Sequence, residues 1–238
     1  MRCTLAASPP SFPPIPNCAD AVLYWIVSRL VRAVFLCTLR IRRHRVELGA
    51  REGGYVLACA HVSHLDPFCI SPVWPRKIGW MARVEFYRHP WAARAMRWMH
   101  AFAVHRRGVP VNAIREALAR LARGEVVGMF PEGEITTGRE SVLRGGAIKR
   151  GVCLLAARSG RPVLPCVIVG TEKLLRLDPW LPARRGRLWM ICGDFIPPIA
   201  GPDRRAARAQ MAAEIERAYV RLYAELRERW QLEDSIAP

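Results

Sequence analysis

The chain has 238 residues, 51% hydrophobic and 24% charged, which excludes a disordered chain and allows a single domain to bury its own core without disulfide or metal staples. Its 37 Lys and Arg against 20 Asp and Glu give a formal net charge of +17, and all the basic residues except Lys77, Lys149 and Lys173 are arginine. An acidic partner is implied (nucleic acid, an anionic membrane or a phosphorylated substrate), and the charge alone selects none of them.

In chain order, residues 1–17 are rich in Pro and Ser, lack an apolar h-region, and read as a mobile leader and not a secretory signal. Residues 18–43 read as a membrane-interfacial helix. Ala19 to Leu39 is long enough to tempt a transmembrane reading, but Arg29 and Arg32 sit in its middle. Each would cost about 2.5–3.5 kcal/mol at the bilayer centre, while Leu, Ile, Val and Phe return roughly 0.3–0.6 kcal/mol each, so the sum is near zero. On a helical wheel Arg29, Arg32, Arg40 and Arg43 share one side, with Leu23, Leu30 and Val34 away from it. That pattern suits a helix lying on lipid phosphates; the alternatives are packing on the core and spanning.

Residues 44–238 form the remaining domain. Arg45 to Leu48 is a candidate short strand, Tyr55 to Ala60 a buried strand, and Asp66 to Val73 a short helix with Pro67 in its first turn. A strand over Lys77 to Ala82, a helix over Pro90 to Met99 and a strand over Phe102 to Val104 follow. A helix capped by Asn112 stops near Gly124, with Ile114, Leu118 and Leu121 as its stripe and Glu116–Arg120 as an i,i+4 pair. Next come a strand over Val126 to Phe130, a helix over Ala147 to Arg158, and strands over Val163 to Val169 and Arg187 to Cys192. Leu177 to Gly186 reads as a surface loop and Asp203 to Trp230 as a long amphipathic helix. Alternating strands and helices predict an α/β single domain whose central sheet is mixed or largely parallel and flanked by helices, preceded by the N-terminal amphipathic helix. The eight cysteines show no metal or redox spacing, so buried reduced thiols in a cytoplasmic protein are expected, and no metal site.

Two segments carry candidate chemistry. In Ala60-His61-Val62-Ser63-His64-Leu65-Asp66-Pro67 a buried strand gives way to a His, with an Asp five residues later opening a helix. That turn can return the carboxylate to one imidazole nitrogen, fix the tautomer and leave the other nitrogen as a general base near neutral pH. An ordinary polar turn is the bland alternative, and His64, closer to Asp66, reads as lining. In Gly128-Met129-Phe130-Pro131-Glu132-Gly133 a strand ends in a turn that exposes a carboxylate and backbone N–H groups where α/β sheets place their ligands. An ordinary tight turn is the alternative there.

Together these segments resemble the glycerophospholipid acyltransferase family. His61, Ser63 and Asp66 match its N-H-x-S-x-x-D block, and Phe102, Val104 and Arg106 resemble the block ending in a substrate-phosphate arginine. Phe130, Pro131, Glu132 and Gly133 match the start of F-P-E-G-T-R-S, and Pro162 to Pro165 match V-P-[IV]-[VI]-P. Lys149-Arg150-Gly151 falls where the family often has a basic residue and Gly before a helix. The resemblance covers roughly residues 45–195. It implies that His61, oriented by Asp66, deprotonates an acceptor hydroxyl, which attacks an acyl-CoA or acyl-carrier-protein thioester without a covalent acyl-enzyme. The implied acceptor is a lysophospholipid, 1-acylglycerol-3-phosphate first, giving phosphatidate.

The resemblance further implies that Ser63 and Phe130 to Gly133 line the substrate, that backbone N–H groups near Gly133 hold the oxyanion, and that Arg106, Lys149 and Arg139 are candidates for a phosphate. No cofactor beyond the acyl thioester is implied, and the enzyme would sit on the cytoplasmic face of the cell membrane as a peripheral or monotopic protein. Ala60 replaces the family's Asn, and Glu134-Ile135 replace Thr-Arg, so a usual phosphate ligand is missing. That departure brings lysophosphatidylethanolamine forward as an alternative acceptor. A nucleic-acid binder is the rival from another class, but no helix-turn-helix, RNP-like strand or zinc spacing supports it. A lipid binder that has lost its chemistry is countered by the intact His61 and Asp66, and a serine esterase by the lack of G-x-S-x-G.

Overall fold

The computed structural model describes residues 39–104, 111–176, 186–199 and 201–233. Seven strands form one sheet in the order β1-β7-β6-β2-β5-β3-β4. They are β1 (Leu39–His44), β2 (Tyr55–Cys59), β3 (Ile78–Arg83), β4 (Phe102–Val104), β5 (Val126–Met129), β6 (Val163–Val169) and β7 (Gly186–Cys192). Every neighbouring pair is parallel except β6 and β7, so β1 and β7 run against the other five. The helices are α1 (Asp66–Ile70), α2 (Pro90–Trp98), α3 (Val111–Ala122), α4 (Gly151–Ser159) and α5 (Arg204–Trp230).

The central strands are apolar throughout because both faces of the sheet are covered. All of β2 and β6 is buried. Their side chains alternate between two cores with the two-residue period of a strand. Val56, Ala58, Val163 and Val167 face α3, α4 and α5, while Tyr55, Leu57, Cys59, Leu164 and Cys166 face α1, Val73 and Trp74. Helix α5 begins where Asp203 accepts from the amides of Arg205 and Ala206. It lays Met211, Ile215, Ala218, Tyr219, Leu222 and Leu226 on the sheet.

Four sequence expectations change, the first being the Asn112 cap, since α3 already begins at Val111 and Asn112 lies inside it. Residues 39–43, assigned to the interfacial helix, are strand, because they pair in parallel register from Leu39↔Gly186 to His44↔Ile191. The rest of that segment and the leader lie outside the described residues. Arg45 to Leu48 is not a strand: Val46–Ala50 is a 3-10 turn entered at Arg45 with φ 60°. Helix α4 starts at Gly151 and not Ala147; before it, Ile148 N–H donates to Glu216 and Lys149 N–H to Pro131 O. The loop expected over Leu177 to Gly186 lies almost wholly outside the described residues.

Candidate active site

Strands β2, β5 and β6 lie side by side and parallel, so the loops that leave them meet at one edge of the sheet. The loop after β2 carries His61 and Asp66, that after β5 carries Glu132, and that after β6 carries Thr171. Asp66 is fully buried. Its Oδ2 lies 3.0 Å from His61 Nδ1 and accepts the backbone N–H groups of Val62 and Ser63, each at 2.9 Å. Its Oδ1 accepts the Thr171 hydroxyl at 2.5 Å. A carboxylate already taking amide and hydroxyl donors acts as an acceptor, so Nδ1 carries the proton toward Asp66 and Nε2 is left basic. The His61 side chain keeps 12% of its surface accessible, enough for a reactant to reach it.

Aromatic stacking fixes the plane of the imidazole. Phe130 stacks on His61 with ring centroids 4.0 Å apart and an interplanar angle of 25°. Trp80 stacks behind Phe130 at 5.1 Å and 9°. The bare Cα of Gly128 makes room for this stack, because a Cβ there would fall 2.7 Å from Trp80 and 2.5 Å from Ile78. His64 is exposed and meets His61 edge-on at 6.0 Å.

Glu132 ties the second loop to the first. Its Oε2 accepts the His61 backbone N–H at 2.5 Å, and its Oε1 accepts the Thr136 hydroxyl at 2.5 Å and Val142 N–H at 3.3 Å. The residue is only 3% exposed, and this burial pushes its carboxyl above the usual range, against the pull of those donors. Glu132 is therefore a strut beneath the His61 backbone. Gly133 turns the chain at φ 73°, and its own N–H donates to Phe130 O at 3.0 Å, so this amide is committed to the turn and not free for an oxyanion. Ser63 is also turned inward, its hydroxyl accepting Leu65 N–H at 3.3 Å, which makes it part of the loop's framework.

The expected phosphate ligands divide. Lys149 lies across the turn, its chain filling the space a Cβ on Gly133 would need, and its ammonium pairs with Glu134 Oε1 at 3.0 Å. Arg139 is exposed on the Gly138–Glu140 turn and has no described contact with the His61–Asp66 pair. Arg106 lies outside the described residues. Thr171, Thr136 and Trp80 are the contributors that the sequence reading missed. Thr171 had one available signal, its position two residues after the end of the fully buried apolar strand β6.

A largely parallel sheet with an H-x4-D turn and a Phe-Pro-Glu-Gly turn side by side at its carboxyl edge is the arrangement of a glycerophospholipid acyltransferase. The chain belongs to the Acyltransferase family, whose model matches residues 40–169. It is 28% identical over 144 residues to a 1-acyl-sn-glycerol-3-phosphate acyltransferase of Bacillus subtilis (strain 168), covering 60% of this chain and 67% of that protein. Its fold is similar to the crystal structure of the 1-acyl-sn-glycerophosphate (LPA) acyltransferase PlsC from Thermotoga maritima. That match has a TM-score of 0.65 and 20% identity, over 89% of this chain and 83% of the other.

Proposed function

We propose that this enzyme moves a fatty acyl group from an acyl thioester, acyl-CoA or acyl-carrier protein, to the free hydroxyl of 1-acylglycerol-3-phosphate, giving phosphatidate. The observation that carries this reading is the His61 Nδ1–Asp66 Oδ2 contact of 3.0 Å, inside a domain of the Acyltransferase family. His61 Nε2 takes the proton of the acceptor hydroxyl as its oxygen bonds to the thioester carbonyl carbon. The carbon–sulfur bond then breaks, and the imidazolium returns the proton to the leaving thiolate. The name of the Bacillus relative supports the acceptor. The net charge of +17 suits work at the cytoplasmic face of the cell membrane as a peripheral or monotopic protein.

A second acceptor has its own observation. The Glu134–Lys149 pair draws Lys149 away from a phosphate and sets an exposed carboxylate beside the Gly133 turn that can meet an ammonium group, as in the headgroup of lysophosphatidylethanolamine.

The test is CoA release from an acyl-CoA by detergent-purified enzyme, with no acceptor, with lysophosphatidate and with lysophosphatidylethanolamine. Stimulation by lysophosphatidate supports the first acceptor and stimulation by the second lipid alone supports the other. With neither, an acyl-carrier-protein donor is tried, and failure there refutes the acyl-transfer reading. In the same assay His61→Ala lowers turnover by roughly 10²–10⁴-fold, the contribution of a general base. A variant that keeps more than a few per cent of the rate removes His61 from that role.

A further inference from the structure

Asp66 is held from two directions, and only one of them belongs to its own loop. Oδ2 takes three donors, His61 Nδ1 and the amides of Val62 and Ser63, all within five residues of it. Oδ1 takes the hydroxyl of Thr171, which is 105 residues away in sequence and, like Asp66, fully buried. A carboxylate at 0% exposure needs protein donors on both oxygens, because a charged oxygen without one costs far more than a lost surface contact.

The backbone that delivers Thr171 is built for the purpose. Gly170 has φ 95°, a conformation that L side chains rarely adopt, and a Cβ there would fall 2.5 Å from Arg187 O. The next residue, Glu172, closes the turn by accepting Gly170 N–H on its Oε2 at 2.9 Å. The end of β6 thereby turns toward the neighbouring end of β2 and sets the Thr171 hydroxyl on Asp66.

We propose that Thr171 is a positioning residue of the active site: its hydroxyl orients the Asp66 carboxylate so that Oδ2 meets His61 Nδ1, completing a His61–Asp66–Thr171 relay drawn from two loops. The proposal rests on the reading of His61 as the base. Without the hydroxyl, Oδ1 is left uncompensated, the carboxylate rotates or admits water, and the imidazole loses its fixed tautomer. Thr171 is fully buried behind Asp66 and offers no surface to a substrate, so affinity is spared and turnover is not.

The experiment compares Thr171→Val, which keeps the shape and removes the O–H, with Thr171→Ser, which keeps the O–H and removes the methyl. Thr171→Val is expected to lower kcat by about 10- to 100-fold, the usual range for losing a hydrogen bond to a charged group, with KM for both substrates little changed. Thr171→Ser is expected to restore most of that loss. A second readout needs no turnover: the Nδ1–H proton resonance of His61 in 15N-histidine-labelled protein, assigned by its loss in His61→Ala. It shifts in Thr171→Val and stays in place in Thr171→Ser. Wild-type kcat with an unmoved resonance in Thr171→Val overturns the proposal. So does an equal loss in both variants, which would make Thr171 a packing residue. If the wild-type enzyme transfers no acyl group, the proposed function fails, while the resonance still decides the role of Thr171.

Discussion

Two buried carboxylates are tied to His61, Asp66 at its Nδ1 and Glu132 at its backbone N–H. Burial outweighs the three donors of Glu132 and pushes its carboxyl upward. A raised value in the folded protein means that folding favours the protonated form. The stabilising effect of that proton is complete below the ordinary value of 4.5 and is lost as pH rises through the folded value. Glu132→Gln removes the titration, so its stability relative to wild type should rise as the pH goes from 4.5 toward neutrality, in denaturant melts at fixed salt. A difference that stays flat across this range would show that Glu132 does not titrate there. His61, Asp66 and Glu132 were legible in the sequence because each sits in a short motif, although the Glu132 contact with the His61 backbone, 71 residues away, was not. Thr171 was not, since its contact with Asp66 arises only from the parallel pairing of β2 and β6.

Among the elements, the strands were the easiest to read, because strands covered on both faces leave unbroken apolar runs. Val163 to Val169 needed no adjustment at either end. The β1 segment was misread because a tertiary partner, β7, decided what its backbone did. Sheet register also explains the cysteines. Cys59, Cys166 and Cys192 stand abreast on β2, β6 and β7, all facing the α1 side of the sheet. Burial holds the Cys59 and Cys192 thiols well above their usual range, and pushes Cys69 up to about 12 and Cys153 up to about 11. The thiolate is the reactive form; hydrogen bonds from Cys192 and Cys59 hold the Cys166 thiol below its usual value, so burial alone protects it, and all five side chains have 0% exposure. Iodoacetamide at neutral pH should therefore leave Cys59, Cys69, Cys153, Cys166 and Cys192 unmodified until the fold opens, as read by peptide mass spectrometry. Fast labelling of any of the five in native protein would mean that its strand or helix opens locally.

At the scale of the whole molecule, the net charge is what bears on contact with an anionic surface. No described helix is long and apolar enough to cross a membrane. The lipid substrates of the proposed reaction reside in a bilayer, so the protein needs a route to that surface. A formal charge of +17 supplies one: basic groups near an anionic leaflet contribute about 1 kcal/mol each, and this attraction fades within a Debye length. Arg40, Arg42 and Arg187 are exposed together beside Trp189 on paired strands β1 and β7, a combination of guanidinium and indole that suits a headgroup layer. Co-sedimentation should therefore show binding to vesicles containing phosphatidylglycerol and little to phosphatidylcholine alone. Raising salt from about 0.1 M to 1 M, which shortens the Debye length from about 10 Å to 3 Å, should release most of the bound protein. His61→Ala should bind as wild type does, because the imidazole is no part of the basic surface. Equal binding to both kinds of vesicle, unmoved by salt, would instead place the attachment in apolar insertion, and the positive charge would then serve substrate capture alone.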